Sequence, residues 1–413
     1  MRFIPEPELL AVLRTAVADK LGRPLTDFGN CDLLVKTLAQ ALPHRGGRGR
    51  ATILRFFGLV SSMATPTRHT LDTLAAYAGF LDFATFSRVQ LPPSAAAPAA
   101  ADALVLLTGA TYAESLLRGY ALGQSTRPAT PDGRASALAL ALAADPAGQE
   151  YFVESFVDLA YLNGAYGEVV LEYLRHATAS QALIFGYSTL FLGAFLAQDE
   201  PAWRARLTQL EAVRVPPSLH PFPRGRRAFA LLLAAWYDAP AAGLPAELLA
   251  RIHQQAPTGS WAVGTTELPA FYNYFPAGYH FLVAEALFLT GQYAPLHAWL
   301  TLTYRQFPEL EQPGRTVYHD LLQAFRAVAA RHGAGPSAAP LSLPARQSAE
   351  ASTHAWLWDY YQVHWSLAEL YFAVADLPSG PDVAARCEQI REFAVARRMP
   401  FFNRVAQQIL TAG

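Results

Sequence analysis

The chain has 413 residues, of which 52% are apolar and 16% are charged, and its 32 basic and 33 acidic side chains leave a net charge of −1. A chain of this length exceeds what one hydrophobic core usually supports, so we expect two or more units or an elongated array. The apolar content excludes a disordered protein, and the balanced charge removes any whole-chain argument for nucleic acid or an anionic membrane as the partner.

The cysteines and the apolar segments narrow the class of protein further. Cys31 and Cys387 are the only cysteines and stand far apart in the sequence, which excludes a disulfide framework and a structural zinc site. The N-terminus meets proline and glutamate before any apolar stretch, so it predicts no secretory signal and a cytoplasmic protein. The apolar run at 182–197 falls short of the about 20 residues of a spanning helix, which predicts a buried helix and no membrane partner.

The N-terminal part of the chain is predicted to contain three helices, at 31–42, 51–57 and 69–80. Asn30 stands in an N-cap position before the first helix, and Pro43 ends it. Gly58 closes the short second helix, in which the periodicity places Ile53 and Phe56 inward. The residues in and next to this helix that periodicity leaves more exposed are Arg50, Leu54, Arg55 and Phe57.

Two sequence motifs mark the second and third of these helices. They read Thr52-Ile-Leu-Arg-Phe-Phe-Gly58 and Thr70-Leu-Asp-Thr-Leu-Ala-Ala-Tyr-Ala-Gly-Phe80. With them, residues 31–86 resemble the phage-repressor-like (Cro/repressor, XRE-type) helix-turn-helix domain, and more closely a bacterial group of uncharacterised proteins that carry TLxRxFG followed by TLDTLAxYxGF. The resemblance implies a helix-turn-helix-like fold that contacts double-stranded DNA, and a homodimer, because one small reader seldom gives adequate specificity alone.

Five arginines in this region are the candidate DNA-binding residues: Arg45, Arg48, Arg50, Arg55 and Arg68. No Asp or Glu lies between them, and cations without a counterion near a helix N-terminus are what phosphate binding needs. Arg48 and Arg50 are the first choices, because arginine also pairs bidentately with guanine. The alternative is a small helical domain whose apolar edge packs on another protein surface, with the arginines merely solvated.

A Pro- and Ala-rich stretch, LPPSAAAPAAA at 91–101, divides the chain. We therefore predict a helix-turn-helix-like domain at 1–92, a linker at 93–101 and a helical-repeat domain at 102–413. Residues 1–92 carry eleven basic and seven acidic side chains, a net of +4, which leaves 21 basic and 26 acidic side chains, a net of −5, for the rest. This asymmetry indicates a basic module joined to an acidic one.

Nearly every segment after the linker has helical periodicity, so the predicted fold class is all-α. The predicted helices lie at 102–123, 133–144, 151–165, 168–177, 181–197, 200–213, 224–238, 245–255, 270–290, 295–306, 315–332, 351–376, 381–397 and 401–411. Two breaks between helices share a Gly-x-Tyr pattern, Gly164 with Tyr166 and Gly291 with Tyr293. The pattern resembles the turn of tetratricopeptide-type hairpins and implies an α-solenoid of TPR-like hairpins. An irregular helical bundle is the alternative.

Aromatic side chains with polar tips cluster in two places of the helical-repeat domain. The candidate effector- or partner-binding residues are Tyr272, Asn273, Tyr274, Tyr279, Trp358, Tyr361 and Trp365. Such side chains on the concave face of a helical array are suited to gripping a peptide. Asn273 is the predicted anchor for the peptide backbone, because its amide both donates and accepts. Packing between helices is the alternative role for all of them.

The sequence contains no HExxH, P-loop, GxSxG or dinucleotide-binding motif. His354 and His364 share a predicted helix but stand too far apart for one metal on one helical turn. We therefore expect no enzyme, with no catalytic residue, metal or cofactor. The predicted function is a DNA-binding transcriptional regulator whose helical-repeat domain binds a peptide or protein effector, which shifts the population of its conformations. The alternative is a helical scaffold that holds protein partners without contacting DNA.

Overall fold

The computed structural model describes residues 7–41, 49–60, 66–78, 83, 86, 100–109, 112–216, 219–257, 277–311, 316–334, 343, 355–378 and 380–412. The chain forms two compact units, Met1–Ala97 and Pro98–Gly413. The division between them falls inside the predicted linker, of which residues 93–99 lie outside the described ones. The described residues form helices and turns with no strand, as the all-α class predicts. None of their helices combines the length and apolarity that a bilayer-spanning segment needs.

The described part of the N-terminal unit consists of α1 Pro7–Leu21, α2 Phe28–Ala41, α3 Arg50–Phe56 and α4 Arg68–Tyr77. Helix α1 packs on α4, and α2 packs on α3. Apolar side chains from all four helices, among them Leu13, Leu34, Ile53 and Leu74, form one core. The sequence predicts α2, α3 and α4 close to their observed bounds. It misses α1, whose apolar residues do not repeat in one narrow stripe.

The end of α3 depends on glycine. Gly58 has a φ of +75°, which favours glycine, and the Leu59 amide donates to the carbonyl of Leu54 at 2.9 Å. This confirms the predicted helix end. The prediction that Leu54 is exposed is wrong, because its side chain is buried beside Ile53 and Phe56. Helix α3 therefore has a wider buried face than its periodicity indicates.

The C-terminal unit contains these longer helices: α5 Ala100–Leu107, α6 Tyr112–Thr126, α7 Ala137–Ala144, α8 Ala165–His176, α9 Ser180–Leu196, α10 Glu200–Ala212, α11 Pro221–Asp238, α12 Ala246–Gln255, α13 Gly278–Leu289, α14 Tyr293–Gln306, α15 Val317–Ala334, α16 Trp358–Asp376, α17 Pro381–Ala396 and α18 Phe401–Ala412. Single helical turns occur at Pro146–Gly148, Gln149–Val153, Leu159–Tyr161, Pro308–Glu311 and Ala355–Leu357. Many of these helices pack on their neighbours in the chain, as a stack of helical hairpins requires.

Helix α13 lies at the centre of this unit. All of its residues are buried, and it packs against α11, α14 and α15. Phe281 contacts the rings of Tyr318 and Tyr361, with centroids 4.7 and 5.7 Å apart. A helix of an open superhelix keeps a solvent-facing side, so the helices around α13 form a more enclosed arrangement than the predicted solenoid.

Contacts between distant parts of the chain close the C-terminal unit further. Phe401 of α18 packs on Phe195 of α9 and Trp236 of α11, with ring centroids 5.0 and 5.8 Å apart. Arg127, just after α6, donates at 2.6 Å to Asp158 and at 2.6 Å to Asp359 of α16. The last helix therefore packs against the middle of the unit, an early segment pairs with α16, and the apolar side chains of the unit form one continuous core.

Two predicted helices differ from the observed ones. The predicted helix at 102–123 is two helices, α5 and α6, and the amide of Gly109 between them donates to the Ser115 hydroxyl at 2.9 Å. The predicted α-helix at 151–165 is absent. The chain there forms a π-helical turn at Gln149–Val153 and a 3-10 turn at Leu159–Tyr161. Its apolar residues are buried in irregular backbone, so helical spacing alone misidentifies them.

The two Gly-x-Tyr patterns have different structures. Gly291 has a φ of +68° and joins α13 to α14 by a tight turn, after which Tyr293 packs on the rings of His332 and Tyr371. At Gly164, by contrast, a Cβ atom would lie 2.1 Å from the carbonyl oxygen of Pro131. Glycine is needed at position 164 because two backbone segments approach each other closely there. Of the two Gly-x-Tyr patterns, the one at Gly291 forms the predicted turn between helices.

Candidate functional site

The five predicted DNA-binding arginines are placed unequally. Arg45 and Arg48 lie outside the described residues. Arg68 is the first residue of α4, and its side chain is not among those the structure describes. Arg50 and Arg55 lie on α3 and are both exposed. Among the five arginines, the structure therefore shows the surroundings of the Arg50 and Arg55 side chains.

Arg50 has a counterion. Its Nε lies 2.6 Å from a carboxylate oxygen of Asp32 on α2, and its guanidinium lies 5.5 Å from the ring centroid of Phe28. The prediction that Arg50 has no acidic counterion is wrong. The segment 44–68 contains no acid, but Asp32 of the preceding helix α2 provides one. The pair is solvent-exposed on both sides, so a phosphate could replace the carboxylate at small cost. Arg55 is exposed on the same helix.

The predicted partner-binding aromatic residues divide into three groups. Tyr272, Asn273 and Tyr274 lie outside the described residues. The structure buries Tyr279 and Tyr361 completely, and the Tyr279 hydroxyl donates to the carbonyl of Ile252 at 2.9 Å. These two residues belong to the core, which corrects the prediction that they face a groove. All residues of α13 are buried, so Tyr279 on this helix and Tyr361, which packs against it, are removed from solvent together with their hydroxyl groups.

The other two aromatic residues lie on α16, at the margin of the core. Trp358 and Trp365 are almost fully buried, with ring centroids 6.1 Å apart. Trp365 lines a groove of about 970 Å³ between α16 and α17, which falls in the size range of ligand sites. The residues that line the groove are Leu343, Gln362, Val363, Trp365, Ser366, Glu369, Phe372, Ala373, Asp376, Asp382, Arg386, Gln389, Glu392, Phe393, Ala396 and Arg397. We call this the α16–α17 groove.

The α16–α17 groove has an apolar floor and a polar rim that links its two helices. The indole of Trp365 donates to Glu369 at 3.0 Å, and the other carboxylate oxygen of Glu369 lies 3.0 Å from Arg386 of α17. Four acidic and two basic residues line the groove, which gives it a formal charge of −2. Asp382 and Glu392 are exposed on the α17 side. The surface thus favours a ligand with apolar and positively charged groups.

One side chain of this protein already lies in the groove. Leu343 is half-buried, lines the groove and packs against the core of the C-terminal unit. It is the one described residue between Ala334 and Ala355. In the sequence it is followed by Pro344, Ala345 and Arg346. The groove therefore accepts a leucine side chain from a segment outside its two helices.

A second feature is polar and lies in the centre of the C-terminal unit. Its six members come from four helices and are 0–6% exposed: Arg226, Glu285, Tyr318, Tyr360, Tyr361 and His364. We call it the buried polar cluster. Glu285 Oε1 lies 2.9 Å from His364 Nε2, but the two atoms are not aligned as a hydrogen bond. The His364 ring is surrounded by Tyr360, Tyr361 and Phe402, at centroid distances of 5.1, 5.3 and 5.4 Å.

Sequence reasoning did not single out most of this cluster. Glu285 and His364 interrupt apolar stretches of α13 and α16, and an isolated titratable residue in a buried helix is the signal that points to such a site. Their pairing is not visible in the sequence, because the two residues are far apart along the chain. Among the described residues, no group of three or more His, Cys, Asp or Glu side chains is arranged to hold a metal ion.

The chain matches no protein-family model, no curated protein and no solved structure. The accessible surfaces of the described residues include the α16–α17 groove and the exposed face of α3.

Proposed function

We propose that this protein is a binding protein, and that its C-terminal unit binds a peptide segment of a partner protein in the α16–α17 groove. The observation that carries the proposal is Leu343, whose side chain lines the groove although it belongs to neither of the two helices. The partner segment places a leucine where Leu343 lies and a basic side chain near Asp382 and Glu392. This function needs no catalytic group.

The size and charge of the groove support this ligand class. A volume of about 970 Å³ accommodates several residues of peptide, and the mixed apolar and acidic lining provides both affinity and orientation. Burying one leucine side chain contributes about 1.5–3 kcal/mol, so the leucine supplies much of the binding energy of a short segment. The acidic rim then selects peptides that carry arginine or lysine.

Binding of a labelled peptide tests the proposal. The probe is a fluorescein-labelled peptide with the sequence of residues 338–348, and the receptor is the full chain with Leu343→Ser, which vacates the groove. We expect saturable binding by fluorescence anisotropy, and a dissociation constant at least about tenfold weaker for a peptide that carries Ser in place of its central Leu. Equal binding of the two peptides, or no binding of either, would overturn the proposal.

A charge-reversal pair locates the binding on the groove. Glu392→Lys changes the exposed rim of the groove, whereas Glu309→Lys changes an equally exposed acid elsewhere in the C-terminal unit. We expect the first substitution to weaken peptide binding several-fold and to do so most at low ionic strength, and the second to leave binding unchanged. Equal effects of the two substitutions would indicate general electrostatic attraction instead.

A second candidate function, double-stranded DNA binding by the N-terminal unit, is favoured by the exposed Arg55 on α3 and by the net charge of +4 over residues 1–92. Together with the groove it would make the protein a transcriptional regulator with a peptide effector. The test is a duplex titration at 50 and 200 mM salt, in which Arg55→Ala weakens binding and the remote Arg251→Ala does not. No binding at 50 mM salt would contradict DNA binding and would favour a scaffold that binds proteins only.

A further inference from the structure

Arg226 of α11 is a buried arginine without an acidic partner. It is 3% exposed, and its Nε has no hydrogen-bond acceptor. Within the part of the chain that the structure describes, no carboxylate oxygen lies within 4.0 Å of its guanidinium. The guanidinium lies over the ring of Phe222, 5.5 Å from its centroid. A guanidinium removed from water without a counterion is strongly unfavourable, so this arrangement calls for a balancing charge.

The surroundings of Arg226 are tyrosine-rich. Burial raises the pKa of the hydroxyls of Tyr166, Tyr318, Tyr360 and Tyr361, and the positive charge of Arg226 acts in the opposite direction on all four. The Tyr166 hydroxyl donates to the carbonyl of Val153 at 2.9 Å. The Tyr360 hydroxyl is buried and has no partner among the described residues. One phenol O–H therefore remains available to an acceptor in the same enclosed region.

Glu285 forms no ion pair with Arg226. Its Oε1 lies 2.9 Å from His364 Nε2, and its carboxylate oxygens do not lie within 4.0 Å of the Arg226 guanidinium. The members of the buried polar cluster are 0–6% exposed, so a group that balances the charge of Arg226 there is no larger than a few atoms. A water molecule satisfies hydrogen bonds but supplies no charge.

We propose that the buried polar cluster binds a small monovalent anion, a halide or a small carboxylate, which pairs with the Arg226 guanidinium and accepts a hydrogen bond from the Tyr360 hydroxyl. The anion is a structural ligand of the folded state. It is independent of the α16–α17 groove, so its presence or absence does not bear on peptide binding.

Thermal unfolding at constant ionic strength tests this site. The full chain is unfolded in sodium chloride, sodium formate and sodium gluconate, of which gluconate is too large for the enclosed cluster. We expect the midpoint to be about 2–4 °C higher in chloride or formate than in gluconate. A rise in chloride alone identifies a halide site, and a rise in formate alone identifies a carboxylate site. Equal midpoints in the three salts would overturn the proposal.

Two variants assign the effect to Arg226. In Arg226→Met the difference between salts is expected to disappear, whereas the exposed Arg251→Met is expected to keep it in full. Tyr360→Phe keeps the charge and is expected to reduce the difference, and it serves where Arg226→Met does not fold. A difference between salts that is the same in all these proteins arises at the surface and contradicts the assignment.

Crystals soaked in bromide give a direct readout. The anomalous difference map is expected to show a peak next to the guanidinium of Arg226. If formate rather than chloride raises the unfolding midpoint, the corresponding result is planar density in crystals grown in formate. Density for neither anion at Arg226 would refute the site.

Discussion

Glu154 offers a quantitative test of how the core of the C-terminal unit is built. Its side chain follows the turn Gln149–Val153 and is buried, and the hydroxyl of Tyr173 on α8 donates to its Oε1 at 2.6 Å. Burial raises the pKa of Glu154 from its usual 4.5 to about 7, because the charged form loses its hydration. The substitution to examine is Glu154→Gln, which retains the acceptor for Tyr173 and cannot ionise.

The expected magnitude follows from this pKa. Between pH 4.5 and 7 the folded protein keeps a proton that the unfolded chain releases, so the contribution is present at low pH and is lost as the pH rises through 7. A difference of about 2.5 between the two pKa values corresponds to about 3 kcal/mol. The free energy of unfolding of Glu154→Gln, relative to the unsubstituted protein, should thus rise by about 2.5 kcal/mol between pH 5 and pH 8.

Urea unfolding at half-unit pH intervals measures this difference. The lowered pKa of His280, about 4 in the folded state because of burial, makes both proteins less stable below pH 6.5 and cancels when the two are compared. Glu247→Gln, an exposed acid on α12, serves as the matched control and should give a flat difference. A flat difference for Glu154→Gln as well would refute the reasoning that this carboxyl is held protonated at neutral pH.

Three further substitutions test the packing. Trp203→Ala removes a fully buried ring that contacts Phe191, Phe195 and Tyr237, and should cost about 3–5 kcal/mol in urea unfolding; a loss under 1 kcal/mol would contradict this packing. Gly291→Ala meets no atom within 4 Å but has a φ of +68°, so it should lose about 1–2 kcal/mol from backbone strain alone, and no loss would show that the turn relaxes. Glu285→Leu leaves His364 without its buried partner and should cost about 3–5 kcal/mol, whereas adding His364→Leu should restore much of it; additive losses in a double-mutant cycle would mean that the pair does not interact.

The sequence predicts much of the helical framework for identifiable reasons. Helices such as α10, α14 and α17 have apolar residues at helical spacing and are bounded by glycine, proline or aspartate, so their observed bounds lie close to the predicted ones. The residues 151–165 fail this test, because their apolar side chains are buried in turns. The spacing of apolar residues indicates that their side chains are buried. It does not determine whether the backbone that carries them is an α-helix or a series of turns.

The candidate sites depend on contacts that sequence spacing does not contain. Trp365 was predicted as a binding residue and lies in the α16–α17 groove, but Tyr361, four residues earlier on the same helix, is buried in the core. What separates them is the position of α13 and α17 around α16, which is set by tertiary packing. Asp32 likewise changes the surroundings of Arg50 from outside the segment in which the arginines cluster.

Photo-crosslinking shows whether the α16–α17 groove holds a leucine-bearing peptide. The peptide of residues 338–348 is synthesised with photo-leucine at the position of Leu343 and is irradiated with the Leu343→Ser chain, and the attachment sites are mapped by mass spectrometry. We expect crosslinks within Trp358–Asp376 and Pro381–Ala396, and we expect excess unlabelled peptide to reduce them. Crosslinks that fall mainly on other helices, or that excess peptide does not reduce, would contradict it.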